Sequence, residues 1–215
     1  KLMLNELDIK IQSGICEIDG IKANNYDFSK VSQSEIFALA SDMEQAQKDA
    51  ILEAKNSHNS VGGVALINVS NVPVGLGEPL YFKLDSQIAN AMMGINAVKA
   101  VEIGDGMLSS KVKGYDNNDQ IRAKGFKTNH SGGMLGGISN GDDINVKVYF
   151  KSTPSIFIEQ ETVDIYNNEV ECKLKGRHDP CVAVRGSVVA ESMMALVLAD
   201  MALLNMSSKM ENVKK

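Results

Sequence analysis

Apolar and polar positions alternate through DIKIQSGICEI, residues 8–18, at the two-residue period of a strand with one buried face. A second β-rich run, VALINV from Val64, follows Gly62 and Gly63 and stops at Asn71 and Pro73. Between them the period lengthens. Met43, Ala46, Ala50, Ile51 and Ala54 fall on one helical face behind Asp42 and Gln45, which stand at capping-box separation. Ser32 and Glu35 share that separation and predict a shorter helical piece just before, after a polar connection over residues 24–30. Asp85 is placed to cap a helix carrying Ile88, Ala91 and Met92. At the start, Leu2, Met3 and Leu7 have helical spacing with no capping signal ahead of them. The chain is therefore expected to begin inside a helix, as a piece of a longer protein.

Asn140-Gly141, between Ile138 and Ile144, predicts a type I′ hairpin turn, because both central positions of that turn need positive φ. Asn167-Asn168 predicts a second, weaker hairpin. The stretch from Val188 to Met206, VVAESMMALVLADMALLNM, is apolar around most of its circumference and is expected to be a helix buried on several sides, as between sheets. Strands in hairpins and helices in separate blocks predict an α+β fold with antiparallel sheets, not a doubly wound parallel sheet. No repeat or linker divides the chain, so residues 1–215 are expected to belong to one domain.

Composition narrows the function. With 44% hydrophobic residues the chain can bury a substantial core, and a net charge of −5 with a pI near 5.3 argues against a general nucleic-acid binder. Cys16, Cys172 and Cys181 are odd in number and lack a CxxC pair, so they read as reduced, buried thiols with no metal site. Without a signal core or an apolar run of membrane-spanning length, a cytoplasmic location away from membranes is expected.

Four segments mix small residues with charge: NAVKAVEIGDG from Asn96, HSGGMLGGISNG from His130, KSTPS from Lys151 and GRHDPC from Gly176. Glycines let backbone N–H groups approach a ligand closely, and successive N–H groups form anion-binding concavities. The doublets Gly132-Gly133 and Gly136-Gly137 fit neither a P-loop nor a dinucleotide turn, and serve equally as tight bends in a hairpin. KSTPS combines an ammonium with three hydroxyls, which suits a phosphate or a solvated loop. In GRHDPC, Arg177 offers a planar fork, His178 titrates near neutrality and Asp179 can accept a proton; a loop braced between Arg177 and Asp179 is the alternative. His58 reads as a solvated helix end, and His130 is open between structural and functional roles.

Taken in order, NSVGG from Asn59, GLGEP from Gly75, INAVKAVEIGDG from Ile95, NHSGGMLGGISNG from Asn129, KSTPS and RHDPCVAVRGSVVAESM from Arg177 resemble the chorismate synthase family over essentially the whole chain. The resemblance implies a β-α-β sandwich and an anti elimination of phosphate from 5-enolpyruvylshikimate 3-phosphate with reduced FMN and no net redox change. It implies flavin contacts at Asn96, Ala97, Gly136, Lys151, Ser152, Thr153, Pro154, Ser155 and Arg177, and a proton-handling role beside the flavin for Asp179. It also implies NADP, a homotetramer, a small phosphorylated substrate and an external flavin reductase as partners. Ser152, Asn59 and Val188 depart from the family's usual residues without removing a charged position. The family's amino-terminal part carries two catalytic histidines, an Arg-rich substrate site and an Arg-Ser-Ser flavin segment that these residues do not include. The chain alone is thus expected to be inactive, the alternative being a non-catalytic flavin or phosphate-binding module or an assembly module.

Overall fold

The computed structural model describes residues 1–208 and 210. Its elements in chain order are α1 (Leu2–Asn5), β1 (Lys10–Ile18), β2 (Ile21–Lys22), α2 (Glu44–Asn56), β3 (Gly63–Ser70), α3 (Leu84–Met93) and β4 (Val98–Ile103). There follow α4 (Gly114–Asn117), β5 (Ile121–Arg122), β6 (Gly125–Phe126), β7 (Met134–Leu135), β8 (Ile138–Ser139), β9 (Ile144–Phe150), β10 (Gln160–Val163), β11 (Glu169–Cys172) and α5 (Ala183–Ser207).

Five of these strands make one antiparallel sheet in the order β2-β1-β3-β9-β4. In β9, Ile144, Val146, Val148 and Phe150 are buried and the residues between them are half-buried, so the sheet has an inner and an outer face. Helices α3 and α5 cover the inner face. A helix as short as α3 is marginal alone in water. Leu84, Ile88 and Met92 are fully buried against the sheet side, and each contributes about 1.5–3 kcal/mol. On the outer face Cys16, Leu39, Val64 and Leu66 lie beneath Ala23, Phe28 and Val31, because Ile15 bridges Ala38 and pins that segment across the strand.

Helix α5 approaches the sheet most closely near its start. A Cβ at Gly186 would run into the Phe150 ring, and one at Gly63 would stand 2.8 Å from the Ala183 Cβ. The inner face of α5 is buried through Ala190, Met194, Leu198 and Met201, whereas Val188, Val189, Leu196 and Leu203 on its other side are exposed. Burial on several sides is therefore met on one side only, since the described residues supply one sheet for α5 to lie on. By length and composition α5 could also cross a membrane; the expectation of no such run missed it because Arg185, Glu191 and Asp200 interrupt the apolar residues.

The α+β class stands, with β1, β3, α2, α3 and the β10–β11 hairpin close to their expected places. Several local signals fell elsewhere. Asp42 and Asp85 give no side-chain cap; α2 starts after Met43, and α3 starts at Leu84, one residue before Asp85. Ser32 lies in a single 3₁₀ turn, and Ser34 does the bonding there, accepting from the amides of Ile36 and Ala38. The glycine hairpin turns at Gly136-Gly137, with φ of +62° and +89°, joining β7 to β8. Asn140 is drawn instead into a local turn in which its Oδ1 accepts from the Asp142 amide at 3.0 Å.

Candidate functional site

Phe150 ends β9 between Gly63 of β3 and Val98 of β4, so three strand termini meet at one end of the sheet. The loops leaving them are tied together and to the loop before α5. The Lys151 amide donates to Ala97 O at 2.9 Å, Ser60 Oγ to Thr153 O at 2.6 Å, and the Val61 amide to Pro180 O at 2.8 Å. His178 reaches Ser155 O from Nδ1 at 2.8 Å and Asn59 O from Nε2 at 2.6 Å. Ala97 has φ of +71°, a conformation costing a non-glycine residue about 1–3 kcal/mol, which the neighbouring bonds must offset.

Polar groups at this end are incompletely satisfied. Lys151 and Arg177 are exposed and make no ion pair with any described residue. Thr153 Oγ1 is sealed from solvent without a hydrogen-bond partner, although a buried hydroxyl left unpaired costs about 1–3 kcal/mol. Asp179 lies 3.4 Å from Arg185 Nε through Oδ2 and accepts from the Cys181 amide at 3.4 Å. Beside them a groove of about 620 Å³ is lined by Asn96, Phe150, Arg185, Gly186, Val189 and Met193. Two unpaired cations, an orphaned hydroxyl and a carboxylate next to an apolar groove fit an anionic ligand with an apolar body.

The structure thus gathers Asn96, Ala97, Lys151, Ser152, Thr153, Pro154, Ser155, Arg177 and Asp179 around one sheet end. Gly136 stands elsewhere. It sits on the β7–β8 turn, whose Gly137 carbonyl accepts from the Leu84 amide at the start of α3, while Asn96 follows the end of α3. The glycine-rich segments interlock there. Ser139 Oγ donates to Pro73 O at 2.6 Å and accepts from the Leu76 amide at 2.9 Å. Asp119 accepts from Thr128 Oγ1, the His130 amide and the Ser131 amide at 2.7, 2.8 and 2.9 Å. Burial disfavours its charge, but those bonds outweigh burial and hold the Asp119 carboxyl below the usual carboxylate range. His130 Nδ1 lies 2.6 Å from Asp105 Oδ2.

Sequence reasoning missed Asp119, Arg185 and the solitary hydroxyl of Thr153. No motif spacing ties Asp119 to residues 128–131, because a two-stranded hairpin, β5–β6, intervenes. Arg185 was inside a quoted motif, at helical spacing from Cys181, and that spacing was the available signal.

The cysteines are all free. Cys16 and Cys181 are buried and Cys172 is half-buried, and burial pushes the Cys16 thiol up to about 12.

Residues 1–203 match the model of the chorismate synthase family. Chorismate synthases of Aliarcobacter butzleri, Sulfurimonas denitrificans and Helicobacter pylori strain G27 are 80%, 64% and 58% identical over 100%, 99% and 100% of the chain. The chain spans 60% of the length of each of these relatives. A crystal structure of chorismate synthase superimposes with a TM-score of 0.77 at 32% identity, over 98% of this chain and 62% of the other. By family model, sequence and fold alike, the chain belongs to the chorismate synthase family.

Proposed function

We propose that this chain forms the flavin-facing wall of a chorismate synthase. The reaction removes phosphate and a ring proton from 5-enolpyruvylshikimate 3-phosphate in an anti elimination, forming a new C=C bond and leaving the net oxidation state unchanged. The observation that carries the reading is the meeting of unpaired Lys151 and Arg177 with the orphaned Thr153 hydroxyl and the Asp179 carboxylate at one sheet end.

Reduced FMN, when bound, supplies electron density for the breaking C–O bond. The chain's own residues bind and orient. Arg177 presents a planar fork suited to phosphate, and Lys151 adds a compact charge beside it. Thr153 Oγ1 gains the partner it lacks. Asn96, Ala97, Ser152, Pro154 and Ser155 supply the surrounding backbone and hydroxyl contacts, while Asp179, oriented by Arg185, handles a proton. For Gly136 the support is family likeness alone. A homotetramer, an NADP-linked or external flavin reductase and a cytoplasmic setting belong to the same proposal, as does one domain over residues 1–215. Catalysis also draws on the two histidines and the substrate arginines of the family's amino-terminal part, so these residues alone form no chorismate.

Anaerobic assay with photoreduced FMN and enolpyruvylshikimate phosphate tests this, with flavin titration alongside. The chain should bind FMN, should lose affinity about tenfold in K151A or R177A, and should form no chorismate. Unchanged affinity in the K151A/R177A pair sinks the site assignment, and chorismate formed by the chain alone sinks its dependence on the family's other residues. Tight flavin binding that no added segment improves would favour the non-catalytic module.

A further inference from the structure

His178 is placed unlike an ordinary loop histidine. Its Nδ1 lies 2.8 Å from Ser155 O and its Nε2 lies 2.6 Å from Asn59 O, so both ring nitrogens face carbonyl oxygens. A carbonyl can only accept. A neutral imidazole has one N–H and can donate to one of them, leaving a lone pair against the other oxygen; only the doubly protonated ring donates to both. The Phe157 ring packs against the imidazole at a centroid distance of 5.2 Å and lies 6.1 Å from that of His58. Phe157 is itself anchored by its amide, which donates to His58 O at 3.1 Å.

The bonded carbonyls belong to the two loops that must stay in register for the site to exist. Ser155 closes KSTPS, which presents Lys151 and the Thr153 hydroxyl, and Asn59 opens the loop whose Ser60 and Val61 bond Thr153 O and Pro180 O. Arg177 and Asp179 flank the histidine directly. We propose that His178 is a positioning residue that, as an imidazolium, clamps the 151–155 loop to the 59–61 loop and thereby sets Arg177, Asp179 and Lys151 in place for an anionic flavin. The ionisable groups around it are Arg177 and Asp179 on its own loop, Lys151 on the strand-end loop and His58 across Phe157; Asp179 is engaged by Arg185. A ring carrying a single N–H leaves one of the two carbonyls without a donor, and the junction is then tied on one side only.

The proposal rests on the flavin-binding reading for its consequence but not for its geometry, so two measurements separate them. Nitrogen-15 NMR of the ring at pH 6 should show protons on both His178 nitrogens. Amide exchange at Val61 and Phe157, which bond across the same junction, should quicken about tenfold in His178→Gln. Reduced-FMN affinity should be about tenfold weaker in His178→Gln than in the unaltered chain. A non-protonated nitrogen in the pH 6 spectrum, or unchanged exchange in the variant, overturns the clamp. A clamp present by both tests together with equal flavin affinity in variant and parent overturns the positioning role. Absence of flavin binding in either protein, with the clamp intact, overturns the flavin reading and with it that role, but not the clamp.

Discussion

The two ends of β9 are built from similar sequence material and differ in how their charged groups are engaged. At its start, glycines, aspartates, serines and a histidine form a knot in which Asp119 and Ser139 have several partners each, although Asn117 Oδ1 and Asn140 Nδ2 are buried there without one. At its end, a comparable mixture leaves Lys151, Arg177 and Thr153 Oγ1 without partners. A carboxylate held by several donors stabilises a fold, whereas exposed cations that pair with no carboxylate are free to meet an anion from outside it. The contrast separates scaffold from site in a chain where the motif words alone do not.

The largest effect should come from Gly104→Ala. With φ at +57°, its new methyl would collide with the His130 carbonyl and press on the Gly132 amide, so about 3 kcal/mol should be lost in urea unfolding. Asp119→Ala removes the acceptor of three bonds and should cost about 2–3 kcal/mol. The same residue sets an acid dependence. Its carboxyl is lowered by folding, so its stabilisation is complete above the unfolded carboxylate range and is lost as pH falls through the folded value. Asp119→Asn should flatten that acid-side loss in a pH series of unfolding midpoints. Ser139→Ala, deleting a buried donor and acceptor, should cost about 1–2 kcal/mol by the same measure. At the opposite end, Thr153→Val should change stability by less than about 0.5 kcal/mol or raise it slightly, while weakening flavin binding. A large stability loss there would erase the distinction between the two ends.

How far the sequence foretold this depends on the range of the forces involved. The inner-face alternation of β1 and the apolar pattern of α5 reflect burial, which repeats along many residues and survives local exceptions. Turns and caps depend on single bonds. Asn140-Gly141 had the stronger turn signal, yet Gly136-Gly137 took the hairpin, because the Gly137 carbonyl is held by the Leu84 amide and Asn140 is bonded through its own amide to Gly133 O. Asp85 sits inside the first turn of α3 and accepts from the adjacent Ser86 amide, so its acidity was readable but its cap was not. The residues gathered at the site were recognisable as motifs. Their partnership was not, since His178 and Asn59 are 119 positions apart and meet only through the sheet.

Gly186 turns a packing detail into a question of alignment. A helix the length of α5 is a rod of about 37 Å, and lifting its first turn off Phe150 by roughly 1 Å would tilt it by less than about 2°. So small a rotation leaves the far end of the core nearly untouched. It would, however, displace Arg185, the neighbour of the missing side chain, and with it the aim of Asp179, by a distance of the order at which reactive geometry fails. One absent methyl group works here as the height adjustment of the whole sheet end.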